Sequence, residues 1–359
     1  MAESASSLAL LTMSALAEAL EPLGWGPAFA DAFAAVAQEG DWPGRVSRVD
    51  RGGWLTTETA AGTERTRQHA RFRRVADALA APTVGDWVVL RSDPGGGPAV
   101  AEAVLPRRTV FVRNAGDDDR ATPQPLAANI DSVLIVVSLA VPYNARRTDR
   151  FLSLAWTSGA EPVMVMTKAD LHSEVDAALD EVRAHVVGAQ VVALSSKTGA
   201  GVEGLERHLT PGRTVVLIGQ SGAGKSTLSN RLTGGDLAAQ AVRKDGKGRH
   251  TTSHRELVRL PTGALLIDTP GLRSVGLWEA KESLEDGAFA DLDDLASQCR
   301  FADCAHEAEP GCAVRAALVD GSLSAERWDS YRTLRAEADQ VAQTRELAAR
   351  AQRSGRRRR

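Results

Sequence analysis

A glycine-rich stretch with the spacing G-x-x-x-x-G-K-[ST] holds the residues with the clearest chemistry in this chain. It follows an apolar run at 214–218, so it is expected to join a strand to a helix. Backbone N–H groups of such a loop turn towards nucleotide phosphates, and the helix N-terminus adds partial positive charge. Lys225 is predicted to reach the β- and γ-phosphates as a catalytic charge, and Ser226 to offer its hydroxyl to Mg²⁺. The predicted phosphate-binding residues are Gly219, Gln220, Ser221, Gly222, Ala223, Gly224, Lys225, Ser226 and Thr227.

A second apolar run, at 264–267, ends in Asp268-Thr-Pro-Gly271. A carboxylate in this place is typical of a magnesium ligand, and the backbone N–H of Gly271 is expected to meet the γ-phosphate. The tetrapeptide alone is a common turn. Downstream of a phosphate loop, however, it is predicted to complete the metal site, with Asp268 and Ser226 both facing Mg²⁺.

Base selection is expected to come from a loop that follows another buried strand, at 162–166. That strand ends in Thr167, Lys168, Ala169 and Asp170. The carboxylate of Asp170 is suited to accept hydrogen bonds from guanine N1–H and the exocyclic amine, which adenine does not offer. This motif usually begins with Asn, so Thr167 is expected to weaken nucleotide affinity or to loosen base discrimination. Taken alone, the tetrapeptide is better explained as the solvated start of a helix.

One more β-prone run, at 190–194, precedes Ser195, Ser196 and Lys197. A loop at the end of a strand next to the base-reading strand is expected to face the same side of the purine. We therefore predict that residues 195–197 present backbone N–H to guanine O6.

The motifs occur in an unusual order along the chain. The base-reading segments come first, then the phosphate loop, then the magnesium aspartate, whereas the phosphate loop of a P-loop GTPase normally lies near the start of its domain. We interpret this order as a circular permutation, which a doubly wound α/β domain tolerates because its termini lie close together at the surface. The switch segments then lead directly into whatever follows residue 280. A movement that depends on the γ-phosphate is therefore expected to reach the C-terminal region.

The three cysteines of the chain lie within fourteen residues, and a histidine lies among them. The residues are Cys299, Cys304, His306 and Cys312. Three thiolates and one imidazole make a closed tetrahedral Zn²⁺ site, which is structural because no coordination position stays open. An odd number of thiols argues against a disulfide framework. The alternative is three free thiols beside a surface histidine.

Three features together resemble the ribosome small-subunit-dependent GTPase A family, RsgA, also called YjeQ. They are the motif order, the segment 248–253 and the cysteine cluster, and the resemblance covers about residues 41–315. It implies a GTPase that hydrolyses GTP to GDP and phosphate, binds the small (30S) ribosomal subunit and its 16S rRNA, assists late maturation of that subunit and is activated by it. It also implies zinc on the four residues named above and an oligonucleotide-binding barrel before the GTPase domain.

The residue that positions the attacking water is not obvious from the motifs. Many GTPases use a Gln directly after D-x-x-G, but Leu272 stands there and cannot orient water. We take His250 as the catalytic candidate, because a histidine can orient water or relay a proton and the resemblance favours this role. It precedes Thr251 and Thr252, and the Thr252 hydroxyl is expected to close on Mg²⁺ and the γ-phosphate. The alternative is that His250 contacts phosphate or RNA.

Short β-prone runs alternate with turns before the GTPase motifs, at 44–49, 54–57, 84–90 and 108–112. This spacing predicts a small β-barrel, although periodicity does not specify which barrel. A basic stretch in this region is expected to meet phosphates and to stack on bases beside Trp54 and Phe72, although solvated charge explains any one of its members equally well. Its members are Arg65, Arg67, His69, Arg71, Arg73 and Arg74.

The predicted fold class is α/β, with a permuted P-loop GTPase domain between a barrel and a zinc-binding helical domain. The expected domains are a helical extension at 1–40, broken near Pro22, the barrel at 41–115, the GTPase domain at 120–280 and the zinc-binding domain with its basic tail at 285–359. At 359 residues and 43% hydrophobic content, the chain is long enough for several cores.

The net charge of −3 is not typical of an RNA-binding protein, so any RNA contacts are expected from local basic patches. Six arginines lie among the last ten residues. Apolar runs stay short of the about 20 residues that cross a membrane. We expect a cytoplasmic monomer.

Two other functions fit the motifs. One is a different permuted GTPase, or an ATPase, that acts on another RNA substrate. The other is an RNA-binding module that uses nucleotide only for stability; the intact Lys225, Ser226 and Asp268 argue against it.

Overall fold

The computed structural model of the chain describes residues 13–73, 79–115, 122–235, 255–268, 289–301, 304–325, 327–333 and 335–336. Within these residues the strands are β1 (Trp42–Asp50), β2 (Trp54–Thr59), β3 (Gly62–Gln68), β4 (Trp87–Arg91), β5 (Val100–Val104), β6 (Val110–Ala115), β7 (Thr122–Ala128), β8 (Ser132–Ser138), β9 (Glu161–Thr167), β10 (Gln190–Ala193), β11 (Thr214–Gly219), β12 (Glu256–Arg259) and β13 (Leu265–Asp268). The helices are α1 (Met13–Leu20), α2 (Pro27–Val36), α3 (Ala145–Thr157), α4 (Val175–His185), α5 (Lys225–Leu232), α6 (Ala290–Ser297) and α7 (Ala313–Asp320).

The parallel part of the main sheet carries the nucleotide-site motifs. Its strands lie in the spatial order β10-β9-β8-β11-β13, and β12 pairs antiparallel with β13. β8, β9 and β11 are rich in apolar residues, mainly Val, Ile and Leu in β8 and β11 and Val and Met in β9. They are buried along almost their whole length, as expected for strands covered on both faces. β11 lies in the middle of the sheet although β8, β9 and β10 precede it in the chain. The predicted permuted α/β domain is confirmed.

The N-terminal barrel is closed by five strands in the order β1-β2-β3-β5-β4, with β4 pairing back onto β1. Alternate residues point inward, and Trp42, Val46, Leu55, Val88 and Leu90 form its core. The barrel predicted from the sequence is therefore confirmed. One register pair, Arg48 with Glu256, joins β1 to β12, so the barrel continues the sheet of the permuted α/β domain.

The run at 108–112 is not a barrel strand, contrary to the prediction. Its second half lies in β6, which pairs antiparallel with β7 in a separate two-stranded sheet. The hydroxyl of Thr109 fixes the start of this hairpin by donating to the Ile130 carbonyl and accepting from the Ile130 N–H. The β-prone pattern identified a strand but could not identify its partner, because pairing depends on distant residues.

Helices α1 and α2 pack against the outer face of β4, where Trp87 and Val89 alternate with the interior residues Val88 and Leu90. The break that the sequence predicted is a short 3₁₀ turn at Glu21–Leu23, followed by Gly24 in the left-handed region. The ring of Trp25 meets that of Trp87 edge to face, with centroids 4.6 Å apart, and Phe29 lies 5.9 Å from the same ring. The N-terminal helices therefore bury the indole of a barrel strand.

Arg45 is buried at the meeting point of four chain segments. Its guanidinium donates to the carbonyls of Leu23, Gly85 and Asn129 and to the hydroxyl of Thr214, the last at 2.7 Å. Burial lowers the pKa of Arg45 to about 10. The charge is held in place by carbonyl oxygens, and one side chain links the N-terminal turn, the barrel, the end of β7 and the start of β11.

The C-terminal segment is small and contains few regular elements. α6 and α7 flank the cysteine cluster, and residues 327–333 are helical. Phe289 is fully buried against Tyr331, with ring centroids 5.4 Å apart, and Trp328 stacks on Tyr331. These rings pack together with Leu292, Val314 and Leu323, which belong to the same buried core as strands of the main sheet.

Candidate functional site

The phosphate loop has the backbone shape that its glycines predict. Gly219, Gly222 and Gly224 have φ values of 138°, 79° and 99°, all in the region that favours glycine. A Cβ at Gly219 would lie 2.2 Å from the carbonyl oxygen of Val136 on the neighbouring strand. The loop therefore runs close to β8 before α5 begins at Lys225.

The Lys225 ammonium folds over this loop. Its Nζ donates to the carbonyls of Gly219 and Gln220, both at 2.6 Å. The Gln220 carbonyl also accepts from the Ala223 N–H at 3.3 Å, which closes the turn. The ammonium therefore lies at the mouth of the cradle, where a phosphate oxygen can replace a carbonyl as its acceptor. Ser226 and Thr227 are exposed in the first turn of α5.

The first two residues of the base-reading motif are tied to the phosphate loop. The Thr167 hydroxyl donates to the Ala223 carbonyl at 2.5 Å, and the Lys168 Nζ donates to the Gly222 carbonyl at 2.9 Å. Thr167 is almost fully buried, and Lys168 has a left-handed backbone with φ of 62°. Thr167 thus fills the place of the usual Asn as a hydrogen-bond donor between the two loops. The expected effect of Thr167 on base discrimination stays a prediction.

The two predicted guanine-reading loops lie side by side. The Ala169 N–H donates to the Leu194 carbonyl at 3.2 Å, and Asp170 is exposed in the short turn that follows. Ser195 is buried and its hydroxyl accepts from the Thr198 N–H at 3.2 Å. Ser196 and Lys197 follow in the same loop, and the Ser196 Oγ is buried without a hydrogen-bond partner in the part of the chain that the structure describes.

The structure describes only some of the residues that are predicted to bind magnesium or to form the switches. Asp268 ends β13 directly after Ile267, which pairs with Val216 of β11, so its backbone reaches the same sheet edge as the phosphate loop. An aspartate at that edge and the exposed Ser226 hydroxyl are oxygen donors of the kind that Mg²⁺ takes. The Asp268 side chain lies outside the described residues, and so do His250, Thr251, Thr252, Gly271 and Leu272.

The cysteine cluster is assembled as the spacing predicts. The ligand atoms of Cys299, Cys304, His306 and Cys312 all lie within 4.8 Å of one another. Cys299 Sγ is 3.9 Å from Cys312 Sγ and 3.5 Å from His306 Nδ1, and His306 Nδ1 is 3.4 Å from Cys312 Sγ. A tetrahedral Zn²⁺ places two sulfurs about 3.8 Å apart and a sulfur and a nitrogen about 3.6 Å apart. The four side chains therefore fit zinc.

Neighbouring groups hold these four side chains in position. Cys312 caps α7, where its Sγ accepts from the Arg315 N–H, and the His306 ring lies edge-on to Trp328. The Glu309 carboxylate accepts from the backbone N–H groups of Ala305, Glu307 and Ala308. Backbone donors of this kind lower the pKa of Glu309 to about 2. The loop that presents His306 is therefore organised around an ionised carboxylate.

The basic stretch of the barrel is only partly an exposed surface. The guanidinium groups of Arg65 and Arg67 lie over the Trp54 ring, 4.6 and 5.3 Å from its centroid, and form a cation–aromatic layer. Phe72 does not fit the prediction that it stacks on bases, because it is only 8% exposed and Arg71 covers its ring. The Arg73 side chain and Arg74 lie outside the described residues. Across the described ranges, none of the helices has both the length and the apolar content needed to span a membrane.

One contact at the site was not predicted. Arg147, in the first turn of α3, donates to the side-chain oxygen of Gln220 at 2.5 Å. The two residues are 73 positions apart, so no motif spacing could have paired them. The only signal in the sequence was a charged residue shortly after the apolar run of β8.

Comparisons with known proteins agree with this geometry. A family model described as RsgA GTPase matches residues 104–278. The chain is 46% identical over 338 residues to "Small ribosomal subunit biogenesis GTPase RsgA" of Streptomyces coelicolor, covering 93% of this chain and 90% of that protein. A protein of the same name from Opitutus terrae is 44% identical over 329 residues and covers 89% of each chain.

Two solved structures are similar over most of the chain. The crystal structure of YjeQ from Thermotoga maritima matches with a TM-score of 0.62 and 27% identity, over 83% of this chain and 98% of that one. The crystal structure of YloQ, described as a circularly permuted GTPase, matches with a TM-score of 0.60 and 25% identity, over 84% of this chain and 96% of that one.

Proposed function

The chain belongs to the RsgA GTPase family, and from this premise we propose that it hydrolyses GTP on the small (30S) ribosomal subunit during late maturation of that subunit. The observation that carries the proposal is the pair of hydrogen bonds from Thr167 and Lys168 to the phosphate loop. They join the segment that reads a guanine to the segment that grips its phosphates. Ribosomal subunits mature in the cytoplasm, and we therefore propose that this protein acts there.

We assign the nucleotide as follows. Backbone N–H groups of 219–224 and the α5 N-terminus take the β- and γ-phosphates, with Lys225 as the neutralising charge. Asp170 selects guanine, and 195–197 meet O6. The proposed magnesium donors are Ser226, Thr252 and Asp268. A Mg²⁺ ion bound to them would neutralise charge on the β- and γ-phosphate oxygens.

The remaining requirement is an oriented water. Leu272 cannot hydrogen-bond to water, so another side chain must hold the nucleophile. We assign this role to His250, whose imidazole can orient a water or accept its proton. Hydrolysis without a partner is expected to be slow, with a turnover of about 10⁻⁴ to 10⁻² s⁻¹, as for GTPases whose catalytic groups are not fully assembled.

We propose that the cysteine cluster, formed by Cys299, Cys304, His306 and Cys312, binds one structural Zn²⁺. The metal would supply folding energy to a segment made of short helices and loops. We also propose that the Arg65–Trp54–Arg67 layer contacts 16S rRNA, because guanidinium groups pair with phosphates and an indole stacks on bases.

The deciding experiment measures GTP hydrolysis with and without purified small subunits, with calorimetry of GDP binding beside it. Hydrolysis should rise many-fold with small subunits and stay unchanged with large subunits. Equal rates without subunits, with small subunits and with large subunits would contradict the proposed partner. Absence of GDP binding would contradict the nucleotide site itself.

Two variants sharpen the residue assignments. Asp170→Asn should reduce GTP affinity, whereas Asp180→Asn, an exposed change on α4, should not. His250→Ala should reduce hydrolysis and leave GDP affinity as it was. A loss of GDP affinity in His250→Ala would give this residue a binding role instead.

A further inference from the structure

Helix α3 contacts the phosphate loop and the C-terminal segment through the same turn. Arg147 reaches Gln220, as described above. One residue earlier, Arg146 forms an ion pair with Asp329 in the helical residues 327–333. Two residues later, Asp149 lies 3.6 Å from the Arg327 guanidinium of that same stretch. Three neighbouring positions thus link the nucleotide site to the zinc-binding segment.

The start of α3 is fixed, so Arg147 has a defined position. The Asn144 side chain caps the helix by accepting from the Arg147 N–H at 3.0 Å. The Asn144 carbonyl accepts from both the backbone and the hydroxyl of Thr148. This cap follows the loop after β8, the strand beside β11. The Arg147 guanidinium therefore extends from a capped helix end towards the adjacent phosphate loop.

Gln220 is well placed to pass on a shift of Arg147. Its side-chain oxygen accepts from Arg147, and its carbonyl accepts from Lys225 and from the Ala223 N–H. A displacement of Gln220 would therefore move an acceptor of the catalytic lysine and the turn that closes the loop. Small displacements of groups that contact phosphate are costly for catalysis, because the reaction depends on their placement.

The contact between Asp149 and the C-terminal segment is buried. The Asp149 side chain is 1% exposed and accepts from His185 at 2.7 Å, and the Arg327 side chain is 9% exposed. Arg327 also holds Asp291 through two hydrogen bonds, at 2.7 and 3.0 Å. Separating a buried charge pair leaves an uncompensated charge in the protein interior, which is strongly destabilising. The contact between Asp149 and Arg327 therefore favours the arrangement in which the C-terminal segment is docked on α3.

We propose that Arg147 is a positioning residue for GTP hydrolysis, and that docking of the zinc-binding segment on α3 sets its position. The proposal rests on the phosphate-binding role given above to 219–227. Arg147 acts through Gln220 and needs no contact with the nucleotide. The zinc-binding segment would thereby influence turnover without supplying a catalytic group.

The first test compares Arg147→Ala with wild type in single-turnover GTP hydrolysis and GDP binding. Loss of a hydrogen bond from a charged donor should lower the hydrolysis rate about tenfold, while GDP affinity changes little. Gln220→Ala should give a similar loss, and the double variant no further loss, because both act in one contact. Arg183→Ala, which removes an exposed ion pair within α4, is the matched control and should retain the wild-type rate.

A conservative change separates positioning from folding. Arg147→Lys keeps a cationic donor and should recover most of the rate, with the thermal midpoint of all variants unchanged. A wild-type rate in Arg147→Ala, with GDP still bound, would overturn this inference alone. Failure of every protein, wild type included, to bind GDP would overturn the nucleotide site instead.

The second test addresses docking. Asp329→Lys places two cations together on an exposed surface, where the fold should tolerate them. Its hydrolysis rate should fall less than that of Arg147→Ala, and the change should have no effect in the Arg147→Ala background. Additive losses, or a wild-type rate in Asp329→Lys, would contradict the proposal that docking of the zinc-binding segment sets the position of Arg147.

Discussion

The nucleotide site and the cysteine cluster reach their geometry by different means. The loops at 167–170, 195–197 and 219–224 follow β9, β10 and β11 of one parallel sheet, and backbone pairing, with β8 between β9 and β11, brings them to one edge. The cysteine cluster lies in loops and helix ends of a segment whose described helices, α6, α7 and residues 327–333, are short. Strand pairing therefore positions the nucleotide loops without a ligand. The arrangement of the four cluster side chains is instead expected to depend on the metal ion that they bind.

The sharpest way to break this comparison is to remove one of the proposed zinc ligands. Cys312→Ala deletes a buried ligand and the cap of α7, and structural Zn²⁺ binding is worth on the order of 10 kcal/mol in small domains. We expect loss of zinc and loss of amide-exchange protection at 290–320, with protection of β8, β9 and β11 retained. Zinc analysis and hydrogen exchange measure both regions in one sample. Equal loss in the sheet would show that the two regions fold as one unit.

The second prediction removes the charge at the sheet edge. Lys225→Ala should lower GTP hydrolysis roughly 10²- to 10³-fold, as for loss of one preorganised electrostatic group. The fold should be unaffected, because the Nζ contacts identified at the site are to loop carbonyls. Single-turnover rates and thermal melts provide the measurement, with Arg183→Ala, an exposed cation on α4, as the control. A melting point well below that of the control would assign Lys225 a structural role.

The third prediction concerns the tie between the two nucleotide loops. Thr167→Val keeps the shape of the side chain but leaves the Ala223 carbonyl without this donor, at a cost of about 1–2 kcal/mol. GDP affinity should fall accordingly, by about five- to thirtyfold. Thr167→Asn restores an N–H donor and should retain affinity, and Thr198→Val is an exposed control. Calorimetry with GDP would contradict the assignment if Thr167→Val and Thr198→Val bound equally well.

The smallest expected effect is a pH dependence confined to the cysteine cluster. Because backbone N–H groups lower the Glu309 pKa to about 2, its contribution is present above the ordinary value of 4.5 and is lost as pH falls towards 2. Glu309→Gln lacks this contribution at neutral pH, so the variant should release zinc at a higher pH during acid titration. Zinc content after desalting follows this release. Identical release curves would mean that the carboxylate does not support the metal loop.

The sequence was most informative where chemistry requires fixed local spacing. The glycines and Lys225 of the phosphate loop, and the four predicted zinc ligands, lie close together in the chain, so their pattern alone indicated their arrangement. The permuted fold followed from motif order, because each motif ends or begins at a strand.

Contacts between distant residues could not be predicted in this way. The Thr167 hydrogen bond spans 56 positions and the Arg147 contact 73. Thr167 was noticed only as a departure from the usual Asn, and an Arg in the first turn of a helix is common. No local pattern indicates which distant loop either residue contacts. The burial of Phe72 and the pairing of β6 with β7 were missed for the same reason. The roles given to His250 and Thr252 stay predictions.

The buried position of Arg45 has a consequence for the order in which the chain is made. Ribosomes synthesise the barrel first, but two of the acceptors around its guanidinium, Asn129 and Thr214, emerge much later. Arg45 lies on the outer face of the barrel, on the side of Trp87, so until these acceptors arrive its guanidinium can stay hydrated. We expect the barrel to dock on the rest of the chain only after β11 has left the exit tunnel, when burial of the cation is matched by its hydrogen-bond acceptors.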